Sequence, residues 1–137
     1  MPNHPTQTLD VQTRSRSQML DITQLVEKAA LKDVANGYVI VYVPHTTAGI
    51  TIQENADPDV QHDLLRKLDE LAPKQERYYQ HAEGNSDSHL KTAMVGSSVT
   101  VLVENGELIL GRWQGIYLCE FDGPRQRQVI VKPVSTQ

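Results

Sequence analysis

The run from Tyr38 to Val43, YVIVYV, is continuously β-prone and predicts a buried central strand. Ahead of it, Ile22, Leu25, Val26, Ala29 and Ala30 recur at helical spacing, so DITQLVEKAALKDVANG is predicted to form a helix with one buried face. Asp21 followed by Gln24 has the layout of a capping box, and Asn36-Gly37 supplies the stop. After the strand come Pro44, the segment HTTAG and a return to β character in ITIQ. Asp57-Pro58 opens a second helix, whose apolar face is Val60, Leu64, Leu65, Leu68 and Leu71 and whose end is Pro73. Residues 86–95 predict a short third helix with Leu90, Ala93 and Met94 turned inward and Gly96 as its stop.

From Ser97 onward the pattern is β. SVTVLV and ELILGRW flank Glu104-Asn105-Gly106, a strong hairpin signal, and GIYLCEF and QVIVKP add two strands joined by DGPRQR. Residues 6–18 are polar with sparse apolar positions and predict an edge strand or an extended arm. Strands and helices do not alternate strictly, which excludes a doubly wound sheet. The expected class is α+β: mainly antiparallel sheets with two main helices packed on them.

At 137 residues the chain is expected to fold as one domain spanning 1–137, with a flexible terminus at 1–5. Hydrophobic residues at 39% and charged residues at 22% are a globular balance, not a disordered one. A net charge of -4 offers nothing to attract nucleic acid, and no apolar run approaches the ~18–20 residues of a membrane span. The first ten residues lack the layout of a secretory signal, so a cytoplasmic location is expected. Cys119, the only cysteine, sits in a β-patterned run and is expected to be a small buried hydrophobe.

Polar chemistry concentrates in HAEGNSDSHLK, residues 81–91. A solvated loop is the plain explanation. The sharper one starts from His81 and His89 with Glu83, Asn85 and Asp87 between them at two-residue intervals. An extended chain would put those five side chains on one face. A helix capped near Ser86 would instead place His89 in its first turn, beside outward-pointing N–H groups that suit an anion, with Lys91 as a second positive partner. Imidazoles suit zinc and other transition metals, and nearby carboxylates can ligate or orient them. In HTTAGITIQEN, His45 precedes Thr46 and Thr47, whose hydroxyl and N–H groups fit an oxyanion or phosphate; a hairpin turn would use the same residues. Glu54 is a candidate base or ligand, whereas Asp57 and Asp59 read as helix N-terminal acids. His62 reads as part of a solvated helix face, and His4 lies in the terminus. Arg112 and Arg125 are candidates to clamp phosphate or, equally, exposed loop arginines; Trp113 is a packing or stacking residue.

Four blocks in order, HTTAGITIQENADPDV, HAEGNSDSHLK, GELILGRWQGIYLCEFDGPR and the closing VIVK, resemble the YjbQ-like family, small proteins described as secondary thiamine-phosphate synthases. The resemblance runs from about Arg16 to Lys132. It implies an α+β fold, a homotrimer, and a site near HTTAG and HAEGNSDSH at subunit boundaries. It also implies a transferase joining a pyrimidine methyl diphosphate to a thiazole phosphate with release of pyrophosphate. On that expectation His45, His81 and His89 hold a divalent metal, zinc by ligand type or magnesium for a diphosphate substrate. Glu54, Glu83 and Asp87 then orient or act as base, while Thr46, Thr47, Asn85, Ser88, Lys91, Arg112 and Arg125 bind the small phosphorylated substrate. The same residues would serve a metal-dependent hydrolase of a small phosphorylated or cyclic substrate, or a non-enzymatic trimeric module that binds metal or anion.

Overall fold

The computed structural model describes residues 5–32 and 34–136, so the readings for His4 and the extreme terminus lie outside it. The elements run β1 (Gln7–Gln12), β2 (Gln18–Asp21), α1 (Thr23–Ala30), β3 (Gly37–Tyr42), β4 (Ala48–Glu54), α2 (Pro58–Leu71), α3 (Ser86–Val95), β5 (Ser98–Glu104), β6 (Glu107–Leu108), β7 (Gln114–Glu120) and β8 (Gln126–Ser135). They form two antiparallel sheets, one in the order β1-β8-β3-β5-β6 and the other β2-β7-β4. The fold is α+β as expected, with the short third helix present at Ser86–Val95 beside the two main ones. No helix among the described residues is long and apolar enough to cross a membrane.

The core lies between the sheets. Val39, Val41, Val101, Val103, Val129 and Val131 enter it from the larger sheet, Ala48, Ile50, Ile116 and Leu118 from the smaller, and Ile22, Val26, Ala29 and Ala30 from α1 and its cap. Strand β3 is central, as its sequence predicts, but it is buried on one face only. Val39 and Val41 point inward while Ile40 and Tyr42 are exposed, so period-two alternation replaces the full burial expected of the run. The fully buried strand is β7, where every residue from Gly115 to Glu120 is covered. Asn105 and Gly106 have φ of 52° and 75° and close the β5–β6 hairpin, as an Asn-Gly pair should. The segment 43–47 is not a hairpin turn, because β3 and β4 belong to different sheets and the chain crosses between them there.

Two helices depart from their predicted form. Helix α1 ends at Ala30, short of the predicted stop at Asn36-Gly37, and Asp21 accepts from the N–H and hydroxyl of Thr23 without forming a capping box with Gln24. Helix α3 is turned over. Asp87, Ser88, Lys91 and Thr92 are buried, while Leu90 and Met94 are 44% and 51% exposed. The reason is electrostatic: Arg16 donates twice to Asp87 (3.0 and 3.1 Å), and Lys91 donates to Asp69 of α2 and to Asp87 (3.4 Å). Buried charges paired in this way pull the polar side of the helix inward. Packing against β4 also requires Gly49, where an added Cβ would come within 2.6 Å of the Gly96 carbonyl oxygen at the end of α3. Ile50 N–H donates to that same oxygen at 3.0 Å.

Candidate functional site

Gly84 brings the two histidines of HAEGNSDSHLK together. Its φ of +73° lies in the left-handed region that glycine tolerates, and its N–H donates to the His81 carbonyl at 3.3 Å. The chain reverses and enters α3, whose first turn carries His89. The His81 and His89 rings stand edge to face with centroids 5.3 Å apart. Of the two geometries considered for this stretch, the helical one is present, with Asn85 rather than Ser86 in the cap position.

Asn85 has the backbone of a helix cap, its carbonyl accepting from Ser88 and His89, yet its side chain does not cap. The amide Nδ2 donates instead to Asp122 Oδ2 at 2.8 Å. Burial alone would raise the Asp122 carboxyl, but its bonds from Asn85 and Arg125 and the charge of Arg16 outweigh that and hold it below the usual range. An ionised carboxylate only accepts, which settles which end of the amide faces it. The other end, Oδ1, is buried and has no hydrogen-bond partner, in a residue only 7% exposed. A buried acceptor left unmade costs about 1–3 kcal/mol.

Asn85 lines a cleft of about 270 Å³ together with Thr46, Thr47, His81, Glu83, His89, Arg125 and Arg127. Thr47 is set by Arg127, whose Nη2 donates to its carbonyl (3.2 Å) and hydroxyl oxygen (2.8 Å). The hydroxyl proton of Thr47 is then left to donate. Arg127 is inward-facing at the start of β8, where its Nε donates to Glu120 Oε1 at 2.8 Å and its Nη2 donates to Glu120 Oε2. Burial would raise Glu120, but Arg127, the Asp122 N–H and Thr13 outweigh it and hold the carboxyl low. Arg125 is paired with Asp122 at 2.9 Å. Glu83, on the open side, has its Oε2 4.0 Å from His81 Nε2. Both arginines thus sit beside carboxylates, and the cleft's remaining donors are the threonines and the imidazoles, with Glu83 as an acid at its edge.

His89 also lines two neighbouring clefts. One, of about 400 Å³, contains His45, Thr46 and Ser97; the other, of about 590 Å³, contains Tyr78, Tyr79, His81 and Leu90. His45 therefore faces a cleft shared with His89, but its Nε2 accepts the Gln128 N–H at 2.9 Å. That bond puts the ring proton on Nδ1 and leaves no free lone pair while it lasts. Among the described residues, no group of three or more His, Cys, Asp and Glu side chains is arranged to hold a metal ion.

The other residues named from the sequence lie elsewhere. Asp87 and Lys91 are in the buried network beneath α3, and the Ser88 hydroxyl donates to the Phe121 carbonyl at 2.6 Å. Burial would raise Asp87, but Arg16 and Lys91 outweigh it and keep its carboxyl below the usual range. Glu54 ends β4, six residues or about 20 Å of strand from Ala48. Its carboxylate accepts from the N–H groups of Ala56 and Asp57 ahead of α2. Arg112 lies 4.8 Å over the Trp113 ring and lines none of these three clefts. Cys119 is buried and its thiol is pushed up to about 12 by that burial, as befits an unreactive core residue.

Sequence reasoning missed Arg127, Glu120, Asp122 and Tyr78. Arg127 was detectable: Arg127, Val129 and Val131 occupy alternate positions of one strand, so the arginine shares the valines' inward face. Glu120 likewise continues the Ile116 and Leu118 face of β7. For Tyr78, which stands outside any regular element, no periodic signal existed.

The sequence pattern of the YjbQ-like UPF0047 proteins matches residues 7–136. The Bacillus subtilis protein YugU is 54% identical over 127 residues, covering 91% of this chain and 96% of that one. Methanocaldococcus jannaschii MJ1081 is 48% identical over 123 residues, covering 89% and 88%. A crystal structure of an uncharacterised YjbQ/UPF0047 protein from Clostridium acetobutylicum superposes with a TM-score of 0.89 at 51% identity, over 93% of this chain and 98% of that one. A YbjQ-like protein of unknown function from Sulfolobus solfataricus gives 0.87 at 31%, over 93% and 94%. These findings overturn the expectation of thiamine-phosphate synthase activity: the two solved structures are of proteins described as uncharacterised and of unknown function, and neither they nor the two sequence relatives carry that activity in their names. On both sequence and fold, the chain belongs to the YjbQ-like UPF0047 family.

Proposed function

We propose that the cleft at His81, His89 and Asn85 binds a small phosphorylated metabolite and exchanges a proton with it. The observation that carries this reading is Asn85 Oδ1, a buried acceptor without a partner in a cleft lined also by two threonines, two imidazoles, two arginines and Glu83. Unpaired buried groups in native structures call for an explanation, and a ligand donor is one that fits a cleft. The phosphoryl oxygens would accept from the Thr46 and Thr47 hydroxyls and from the imidazole N–H groups that line the cleft. A hydroxyl or amine on the ligand would donate to Asn85 Oδ1. His81 and His89, side by side at the mouth, are the side chains placed to exchange a proton with the ligand.

The same orphan acceptor favours a second reading, a divalent ion held by His81, His89 and Asn85 Oδ1. Such an ion would polarise a phosphoryl oxygen.

Calorimetric titration of metal-stripped protein with inorganic phosphate tests the first reading. Saturable binding is expected, weakened roughly tenfold or more in Thr46→Val/His81→Ala, since hydrogen bonds to charged groups are worth about 1.5–3 kcal/mol. Equal affinity in the variant, or no binding to the intact protein, contradicts it. Zinc titration of the same sample, with and without phosphate, separates the second reading from the first.

A further inference from the structure

Glu83 weights the charge of the polar cleft against a lone anion. The two arginines that line the cleft are each offset by a carboxylate, Arg127 by Glu120 through two bonds and Arg125 by Asp122 at 2.9 Å. Glu83 is not tied to either arginine. Its Oε2 stands 4.0 Å from His81 Nε2, too far for a hydrogen bond, and 72% of its side chain is exposed. Two residues along the same turn, Asn85 contributes a second acceptor, the buried and unpartnered Oδ1. The hydroxyls of Thr46 and Thr47 reach the cleft from a different segment, the crossover between the sheets. One cleft therefore combines hydroxyl donors with two acceptors that lack a strong donor of their own.

A phosphate monoester carries about −1.5 to −2 charge near neutral pH, so on its own it meets Glu83 with repulsion. A positive group on the same ligand converts that repulsion into attraction and supplies the donor that Asn85 Oδ1 lacks. Resting on the phosphate reading above, we infer that Glu83 and Asn85 Oδ1 form a subsite for an ammonium group, which makes the ligand a compact aminoalkyl phosphate. An ammonium has three donors and no acceptor, so it can bond Oδ1 and still face the Glu83 carboxylate. A hydroxyl in its place would serve Oδ1 but gain nothing from the charge of Glu83. Size agrees with a short spacer between the two groups, since about 270 Å³ falls just below the ~300–1,000 Å³ typical of small-molecule sites.

The test compares inorganic phosphate, 2-aminoethyl phosphate and propyl phosphate by calorimetry on metal-stripped protein, the two esters differing only in ammonium against methyl. Aminoethyl phosphate is expected to bind roughly tenfold or more tighter than propyl phosphate, because a charged donor meets a buried acceptor. In Glu83→Gln, at an exposed position whose change spares the core, that preference should shrink about two- to fivefold. Inorganic phosphate should move the opposite way and bind up to about twofold tighter, since the variant removes a like charge. A structural loss would instead weaken all three ligands together, and that result overturns the inference. So does an equal affinity for the two esters, or a preference that Glu83→Gln leaves unchanged; in either case bound inorganic phosphate keeps the phosphate reading standing. If none of the three binds, the phosphate reading itself fails and takes this inference with it.

Discussion

His45 shows how one hydrogen bond sets a residue's chemistry. Burial, reinforced by the charge of Arg127, lowers its pKa from the ordinary 6.5, and Gln128 N–H occupies its Nε2. The folded state therefore holds a neutral ring where the unfolded chain takes up a proton first. Below pH 6.5 the unfolded state binds more protons, so stability falls as pH drops from 6.5 toward the lower folded value. His45→Gln keeps an acceptor for Gln128 but cannot titrate. Urea unfolding between pH 5 and 7 should show a shallower pH slope in this variant, the difference being at most ~1.4 kcal/mol per pH unit. Identical slopes would mean that His45 is not held neutral. Asn85 makes the complementary point, since its side chain forgoes capping α3 in favour of Asp122 and so presents a bare acceptor to the cleft.

At the level of elements, α3 carries the site because a buried charge network holds it in place. Arg16, Asp69 of α2, and Asp87 and Lys91 of α3 come from three separate parts of the chain and meet beneath one helix. Removing one partner of a buried pair leaves the other uncompensated, typically at about 3–5 kcal/mol. Asp87→Ala should therefore lower the unfolding free energy measured in urea by an amount in that range, whereas Asp69→Asn, at a carboxylate still largely exposed, should cost about 1 kcal/mol or less. A stable Asp87→Ala protein that loses only ligand affinity would return Asp87 to the role of a ligand-contacting group. The position of α3 was legible in the sequence, from Gly96 as its stop to His89 in its first turn. Its orientation was not: Leu90, Ala93 and Met94 make a plausible inward face, and only the partners supplied by Arg16 and Asp69 reverse it. The strands were read well where alternation was strong, as in β5 and β8, and β2 was missed because four residues of mixed polarity leave too short a pattern.

Across the whole molecule, the two sheets place segments distant in sequence around a single cleft. The crossover 43–47 delivers Thr46 and Thr47, the 81–89 turn delivers both histidines, and the end of the small sheet delivers Asp122 and Arg125. The sequence showed the first two segments as dense in ligand chemistry but could not show that they meet, since that depends on which sheet each strand joins. It could not separate the groups at the cleft from Asp87, Ser88 and Lys91, because alternating polar residues look alike until burial divides them. The central claim is that a phosphorylated ligand sits against His81 and His89. The most direct measurement is a proton NMR titration of the histidine ring signals with inorganic phosphate, assigned by single substitutions, with exposed His62 on α2 as the internal control. The account predicts saturable shifts for His81 and His89 with His62 unmoved; no shifts, or equal shifts at all three, would contradict it.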